Sequence, residues 1–122
     1  MDVRKIFGNR GEDAAADFLE RNGMTILCRQ YKNQFGEIDL VCRDCDEVVF
    51  VEVKSRYSNA RGYPEDSVTQ EKIGHIVRVG EGFLLSLPQE TQWRIDVVAI
   101  EFEHDPLRIT HIKGIDIPEK FW

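Results

Sequence analysis

The chain has 122 residues, 42 % of them hydrophobic and 31 % charged, with a net charge of −6 at neutral pH. This length and mix predict a single globular domain over residues 1–122 with a real core. No apolar run approaches the roughly 20 residues of a membrane helix, and the polar opening MDVRKIFGNRGED has no signal-peptide core, so a cytoplasmic protein without a membrane partner is expected.

Helical spacing of Phe7, Gly11, Ala14, Ala15, Phe18 and Leu19 predicts a first helix over 7–22. Asn22-Gly23 is its stop signal. Glu12 borders the buried stripe, and its plain reading is a surface glutamate favoured by the helix dipole. A strand is expected over 24–31, with a connection from Lys32 to Phe35.

The next stretch, GEIDLVCRDCDEVVFVEVKSR from Gly36 to Arg56, organises the chain. Two apolar, β-branched runs, 38–42 and 48–53, flank a polar turn at 43–47, which predicts a hairpin. Asp39 interrupts the first run, and Glu52 and Lys54 interrupt the second. Charges inside apolar strands are rare unless paired or working. Period-2 alternation puts Phe50, Glu52 and Lys54 on one face and Val49, Val51 and Val53 on the other. A four-residue turn pairs Arg43 with Val48 and sets Asp39 opposite Glu52. Two carboxylates about 5 Å apart at Cβ repel unless a cation or proton lies between them.

Residues 56–65, RYSNARGYPE, read as a loop mixing Arg56 and Arg61 with Tyr57 and Tyr63. It is either a solvated loop or a surface for phosphates and bases. No acid occurs from Val53 to Pro64, so the local field can be positive on an acidic molecule. A second helix is expected over 66–87, capped by Asp66, Ser67 or Thr69 and ended by Pro88. Its inward stripe is Ile73, Ile76, Val77, Gly80, Leu84 and Leu87. Gly74, Gly80 and Gly82 each weaken it by roughly 1 kcal/mol relative to alanine, so a close partner or a break near Gly80 is expected. Lys72 lies near the helix start, where the macrodipole gives a cation nothing; an anion contact would account for it. A strand over 93–102 has Trp93, Ile95, Val97, Ala99 and Glu101 on one face and Arg94, Asp96, Val98, Ile100 and Phe102 on the other. A last strand spans 107–113, and the tail from Gly114 ends in Phe121-Trp122, which would cover a core edge or meet a partner. The expected fold is α/β, a mixed sheet of about five strands with two helices in the order α-β-β-β-α-β-β.

Asp39 and Glu52 are a donor pair for a hard cation such as Mg²⁺, with the Val53 carbonyl a further ligand. Such a metal polarises a phosphate oxygen and lowers the pKa of a bound water. Lys54, two residues along on the same face, can position or deprotonate the water or offset transition-state charge. The set suits phosphodiester hydrolysis. Cys28, Cys42 and Cys45 are an odd count that reads as reduced thiols; the lone Cys42-x-x-Cys45 lacks the four ligands of a structural zinc. No phosphate-binding glycine loop is present.

GEIDLV followed by VFVEVKSR resembles the PD-(D/E)xK superfamily of restriction-endonuclease-like nucleases. More closely, it resembles the YraN-like family of small bacterial proteins, related in fold to archaeal Holliday-junction resolvases. The resemblance runs from Gly8 to about Ile100. It implies a restriction-endonuclease-like core and a catalytic set of Glu12, Asp39, Glu52 and Lys54. It makes Asp39 and Glu52 ligands of Mg²⁺ or Mn²⁺, Lys72 an accessory polar residue, and Asp96 structural. Ile38 stands where the superfamily name has proline. The expected function is a metal-dependent endonuclease acting on DNA rather than RNA, on branched or damaged structures, as a monomer or homodimer, with Arg56, Arg61 and Lys72 contacting nucleic acid. The alternatives are a nucleic-acid-binding module that does not cleave, and a protein-interaction protein using Phe121-Trp122.

Overall fold

The computed structural model describes residues 3–56, 68–103 and 105–122, with side chains from residue 10 onward. Helix α1 spans Val3–Arg21, followed by strands β1 (Thr25–Asn33), β2 (Gly36–Asp44) and β3 (Glu47–Arg56), helix α2 (Gln70–Leu84), and strands β4 (Trp93–Glu101) and β5 (Arg108–Ile112). The five strands form one mixed sheet in the order β1-β2-β3-β4-β5. Only β3 and β4 run parallel; α2 makes the crossover between them. This is the α-β-β-β-α-β-β order that the sequence predicts. Among the described residues, no helix is long and apolar enough to cross a membrane.

The helices cover opposite faces of the sheet. Ala15 and Leu19 of α1 pack on Leu40, Cys42, Val49, Val51, Val98 and Ile100. Ile73, Ile76 and Val79 of α2 pack on Ile38, Val41, Phe50, Ile95 and Val97. Burying such a side chain contributes about 1.5–3 kcal/mol, so each helix is held by its apolar stripe more than by propensity.

Helix α1 begins four residues earlier than expected and stops where Asn22-Gly23 says it should. Gly23 takes φ +90, the Asn22 amide donates to the Phe18 carbonyl at 2.8 Å, and Met24 N–H donates to Leu19 O at 3.0 Å. Helix α2 is capped by Thr69, whose hydroxyl accepts from Lys72 N–H at 3.1 Å. The alternative caps Asp66 and Ser67 lie outside the described residues, as do Tyr57, Arg61 and Tyr63. The helix does not break at Gly80: a Cβ there would lie 2.7 Å from the Phe50 ring, so the missing methyl is the space that ring fills. It ends at Leu84 rather than Leu87, because Ser86 and Leu87 turn their N–H groups onto Phe83 and Leu84.

The central hairpin turns on two residues, Cys45-Asp46, rather than on 43–47. Cys45 adopts φ +55 there. The parity is unchanged, and Arg43 pairs with Val48 as expected. In the tail, the Phe121 ring sits on Gly74, and the Trp122 ring lies 5.2 Å from that of Trp93. Both aromatics close the α2 side of the core, though Trp122 stays 73 % exposed.

Candidate functional site

The ladder between β2 and β3 runs from Asp44↔Glu47 to Leu40↔Val51 and stops one residue short of the expected Asp39–Glu52 pair. The cause is a slip in side-chain alternation. Ile38 and Val41 face α2, whereas Leu40 and Cys42 face α1; strict period 2 would put Ile38 and Leu40 on one side. The phase changes at Asp39. Across on β1, the ladder pairs Arg29 with Leu40 and Tyr31 with Ile38, and the residue between them, Gln30, takes φ +50. Asp39 is thereby turned between the separating strands, where its Oδ2 accepts from Val53 N–H at 2.8 Å. A strand residue's N–H and C=O point to the same edge, so the Val53 carbonyl faces the same gap.

Glu52 is buried, beside two ammonium groups. Lys54 Nζ lies 3.6 Å from its Oε1, and Lys72 Nζ, from the first turn of α2, lies 3.7 Å from the same oxygen. These distances exceed hydrogen-bond range, so the pairing is Coulombic. The anion contact expected of Lys72 is therefore made within the protein. Burial, and next the Glu52 charge, push the Asp39 carboxyl up to about 6, against the opposing pull of Val53 N–H and Lys72.

Glu12 is buried, not a surface glutamate. Its charge also raises Asp39, so α1 brings a third carboxylate to this end of the sheet. Both its oxygens are engaged: Oε1 accepts from Arg29 Nε at 2.9 Å and Oε2 from Gln30 Nε2 at 3.1 Å. Arg29 also pairs with Asp13, and the hydrogen bonds it donates to Asp13 and then to Glu12 hold its guanidinium above its ordinary pKa. Arg29 and Gln30 carry no motif and were not singled out in the sequence. The only signal is a polar pair set between Cys28 and Tyr31.

A match to Uncharacterised protein family UPF0102 spans residues 11–100, from the helix that carries Glu12 to the strand beyond Asp96. The chain belongs to the UPF0102 family. A UPF0102 protein of Syntrophomonas wolfei is 42 % identical over 111 residues, covering 90 % of this chain and 96 % of the relative. One of Persephonella marina is 38 % identical over 110 residues, covering 89 % and 91 %. A third, of Roseiflexus castenholzii, is 41 % identical over 99 residues, or 80 % of each chain. These are the YraN-like proteins that the hairpin motif resembles, and the nuclease-like arrangement is consistent with them. UPF0102 is an uncharacterised family, so membership establishes kinship and leaves the chemistry to the site.

The donor set of this UPF0102 chain fits a hard, six-coordinate cation that keeps waters: two carboxylates, Asp39 and Glu52, and a peptide carbonyl, Val53. Among the described residues, no three His, Cys, Asp or Glu side chains converge into a fuller metal cage.

Asp96 lies elsewhere. It is fully buried and accepts from Arg94 at 2.9 and 3.2 Å and from Gly114 N–H at 2.9 Å, with His111 Nε2 2.8 Å away. Burial alone would raise its pKa, but the His111, Arg94 and Gly114 hydrogen bonds hold it below the ordinary carboxylate value. Arg94 also donates to Glu47 at 2.7 Å and Asp44 at 2.9 Å, fastening β4 to the hairpin turn. Cys42 is buried, with its thiol pushed up to about 12 chiefly by that burial, whereas Cys45 is exposed at the turn. The C-x-x-C spacing therefore does not bring a reactive pair together. Arg56 ends β3 two residues after Lys54, opposite Glu101 in the parallel ladder.

Proposed function

We infer that this UPF0102 chain is a divalent-metal-dependent nuclease that hydrolyses DNA phosphodiester bonds. The observation that carries the reading is the junction of Asp39, Glu52 and Lys54 where β2 and β3 part. There the half-buried Asp39, pushed up to about 6 first by burial and next by the Glu52 charge, stands by the buried Glu52, and two ammoniums lie beside Glu52. Asp39, Glu52 and the Val53 carbonyl would hold Mg²⁺ or Mn²⁺, which when bound supplies Lewis acidity at a phosphate oxygen and a lowered pKa for water.

The chain's own residues supply the rest. Val53 N–H fixes the rotation of Asp39 through its hydrogen bond, so the other carboxylate oxygen is aimed rather than free to turn. Lys54, tethered beside Glu52, offsets the negative charge that grows on the phosphoryl oxygens as water adds and the strand oxygen leaves. Lys72 supplies a second cation on the approach of the phosphate backbone, with Arg56 and Arg61 further along the chain. Glu12, held by Arg29 and Gln30, adds negative potential that favours a divalent cation over none.

The test is cleavage of labelled single-stranded, duplex, flap and four-way-junction DNA with Mg²⁺ or Mn²⁺ against EDTA, beside Asp39→Ala and Lys54→Ala. Metal-dependent cutting that both substitutions abolish is the expected result. DNA binding without cutting, unaffected by either substitution, would instead make the chain a binding module on a nuclease-like fold.

A further inference from the structure

The edge between α2 and the start of β2 continues past the candidate site. At i, i+3 and i+6 on the helix stand Lys72, His75 and Arg78. Facing them stand Asp39 and Gly36 of β2 and Phe35 of the turn between β1 and β2. Lys72 and Asp39 belong to the site. His75 lies over the bare backbone of Gly36: a Cβ there would be 2.2 Å from its Nε2, and Gly36 has φ +139. The Arg78 guanidinium sits 5.7 Å from the centroid of the Phe35 ring, which still keeps 43 % of its surface in solvent. Six residues of helix cover about 9 Å, so Phe35 and Arg78 are within reach of a nucleotide next to one seated at Asp39 and Glu52.

Beyond this edge a trough of about 440 Å³ runs along the outer side of α2, between Phe35 and Phe121, with His75 and Arg78 in its lining. Its volume falls within the range of small-ligand pockets. Two acids, Glu71 and Glu81, also line it. They repel a phosphate and leave a neutral, planar group as the better occupant. Aromatic faces and an arginine plane bind bases without regard to sequence, because every base has a π-face. A base inside a duplex has both faces covered by its neighbours, so it cannot use them.

We propose that the Phe35–Arg78 trough is a subsite for an unstacked nucleobase, belonging to the strand whose phosphate lies at Asp39 and Glu52. The proposal rests on the nuclease reading and narrows its substrate to DNA with an unpaired base beside the cut. Phe35 and Arg78 are specificity residues: they stack and orient the base, while the phosphate is met by Lys72 and Lys54.

The experiment uses a single-stranded oligonucleotide carrying 2-aminopurine at successive positions, bound in Ca²⁺ to read fluorescence and then supplied with Mg²⁺ or Mn²⁺ to read cleavage. Quenching should appear at one position in the wild type and be lost in Phe35→Ala. The same substitution should raise KM for the single strand about tenfold, in line with loss of one base–aromatic stack, and change kcat less. Phe35→Trp should restore both, and circular dichroism should show all three proteins folded alike. Cutting by the wild type with no effect of Phe35→Ala on quenching or KM would overturn the subsite and leave the nuclease standing. Quenching that depends on Phe35 without any cutting would keep the subsite and overturn cleavage. A wild type that neither binds nor cuts would overturn both.

Discussion

The β2–β3 hairpin carries two groups of charges, one at each end, about 17 Å apart along the strands. At the closed end Arg94 meets Asp44, Glu47 and Asp96 through hydrogen bonds of 2.7–3.2 Å, and Gly114 N–H also donates to Asp96. At the open end the ammonium–carboxylate distances are 3.6 and 3.7 Å, and Asp39 is pushed up to about 6. Both ends are acidic and partly buried. One is saturated with directed donors; at the other Asp39 accepts from Val53 N–H, while Glu52 meets its two ammoniums beyond hydrogen-bond range. The first arrangement stabilises the sheet. The second crowds carboxylates together, which with burial raises Asp39, and it is the feature on which the proposed metal site rests.

The comparison breaks first on activity. Asp39→Ala, Glu52→Gln and Lys54→Ala should each lower metal-dependent cleavage by about a thousandfold or more, as loss of a group acting mainly in the transition state does, and leave the fold intact by circular dichroism. Asp96→Ala should do the reverse. It takes a fully buried carboxylate away from Arg94, His111 and Gly114 N–H, with only Asp44 and Glu47 left to hold Arg94, and should cost about 3–5 kcal/mol in urea unfolding, with any activity loss following the unfolded fraction.

A smaller effect separates the ends by pH. Burial and then the Glu52 charge push Asp39 up to about 6 in the fold, above the ordinary value of about 3.9. The native state therefore binds this proton more tightly than the unfolded chain, and its contribution to stability falls as pH rises from about 4 through 6. In EDTA at pH 7.5, Asp39→Asn should be more stable than wild type by about 1–2 kcal/mol, and the gain should vanish near pH 4. Millimolar Mg²⁺ or Mn²⁺ should raise the wild-type melting temperature at pH 7.5, lose that effect below pH 6, and do nothing for Asp39→Asn. The opposite pH trend would mean that Asp39 is satisfied like Asp96. The smallest change is expected of Lys72→Met, since Lys72 is 40 % exposed. It should shift stability by no more than about 1 kcal/mol, yet weaken DNA binding and flatten its salt dependence.

Much of this was legible from local pattern. The hairpin, the pairing of Arg43 with Val48, the two faces of β4 and Thr69 as one of three candidate caps follow from alternation and turn chemistry, whereas the structural standing of Asp96 was implied by the family resemblance. The slip at Asp39 was not legible, because period 2 was the premise from which its orientation was read. The register shift between Ile26 and Cys28 escaped for the same reason. Glu12 read from its own helix as a surface residue, because Arg29 and Gln30, which donate to its carboxylate, stand 17 and 18 residues further on. Gly80 signalled only that something close must compensate; Phe50 could be named only once the sheet was built. Helix ends and turn lengths shifted by a few residues, where backbone groups choose between near-equal partners.

Strand order in the sheet repeats strand order in the chain. Each antiparallel ladder closes only a short loop, so β1, β2 and β3 can pair as a meander as soon as residue 56 is available, and the parallel β3–β4 ladder alone must wait for the crossover through α2. Glu12, Asp39, Glu52 and Lys54 all belong to that early meander and the helix before it; Lys72 arrives with the crossover. The carboxylates are thus brought together with Lys54 first and with Lys72 second, which makes docking of α2 the step in folding at which Glu52 gains its second ammonium.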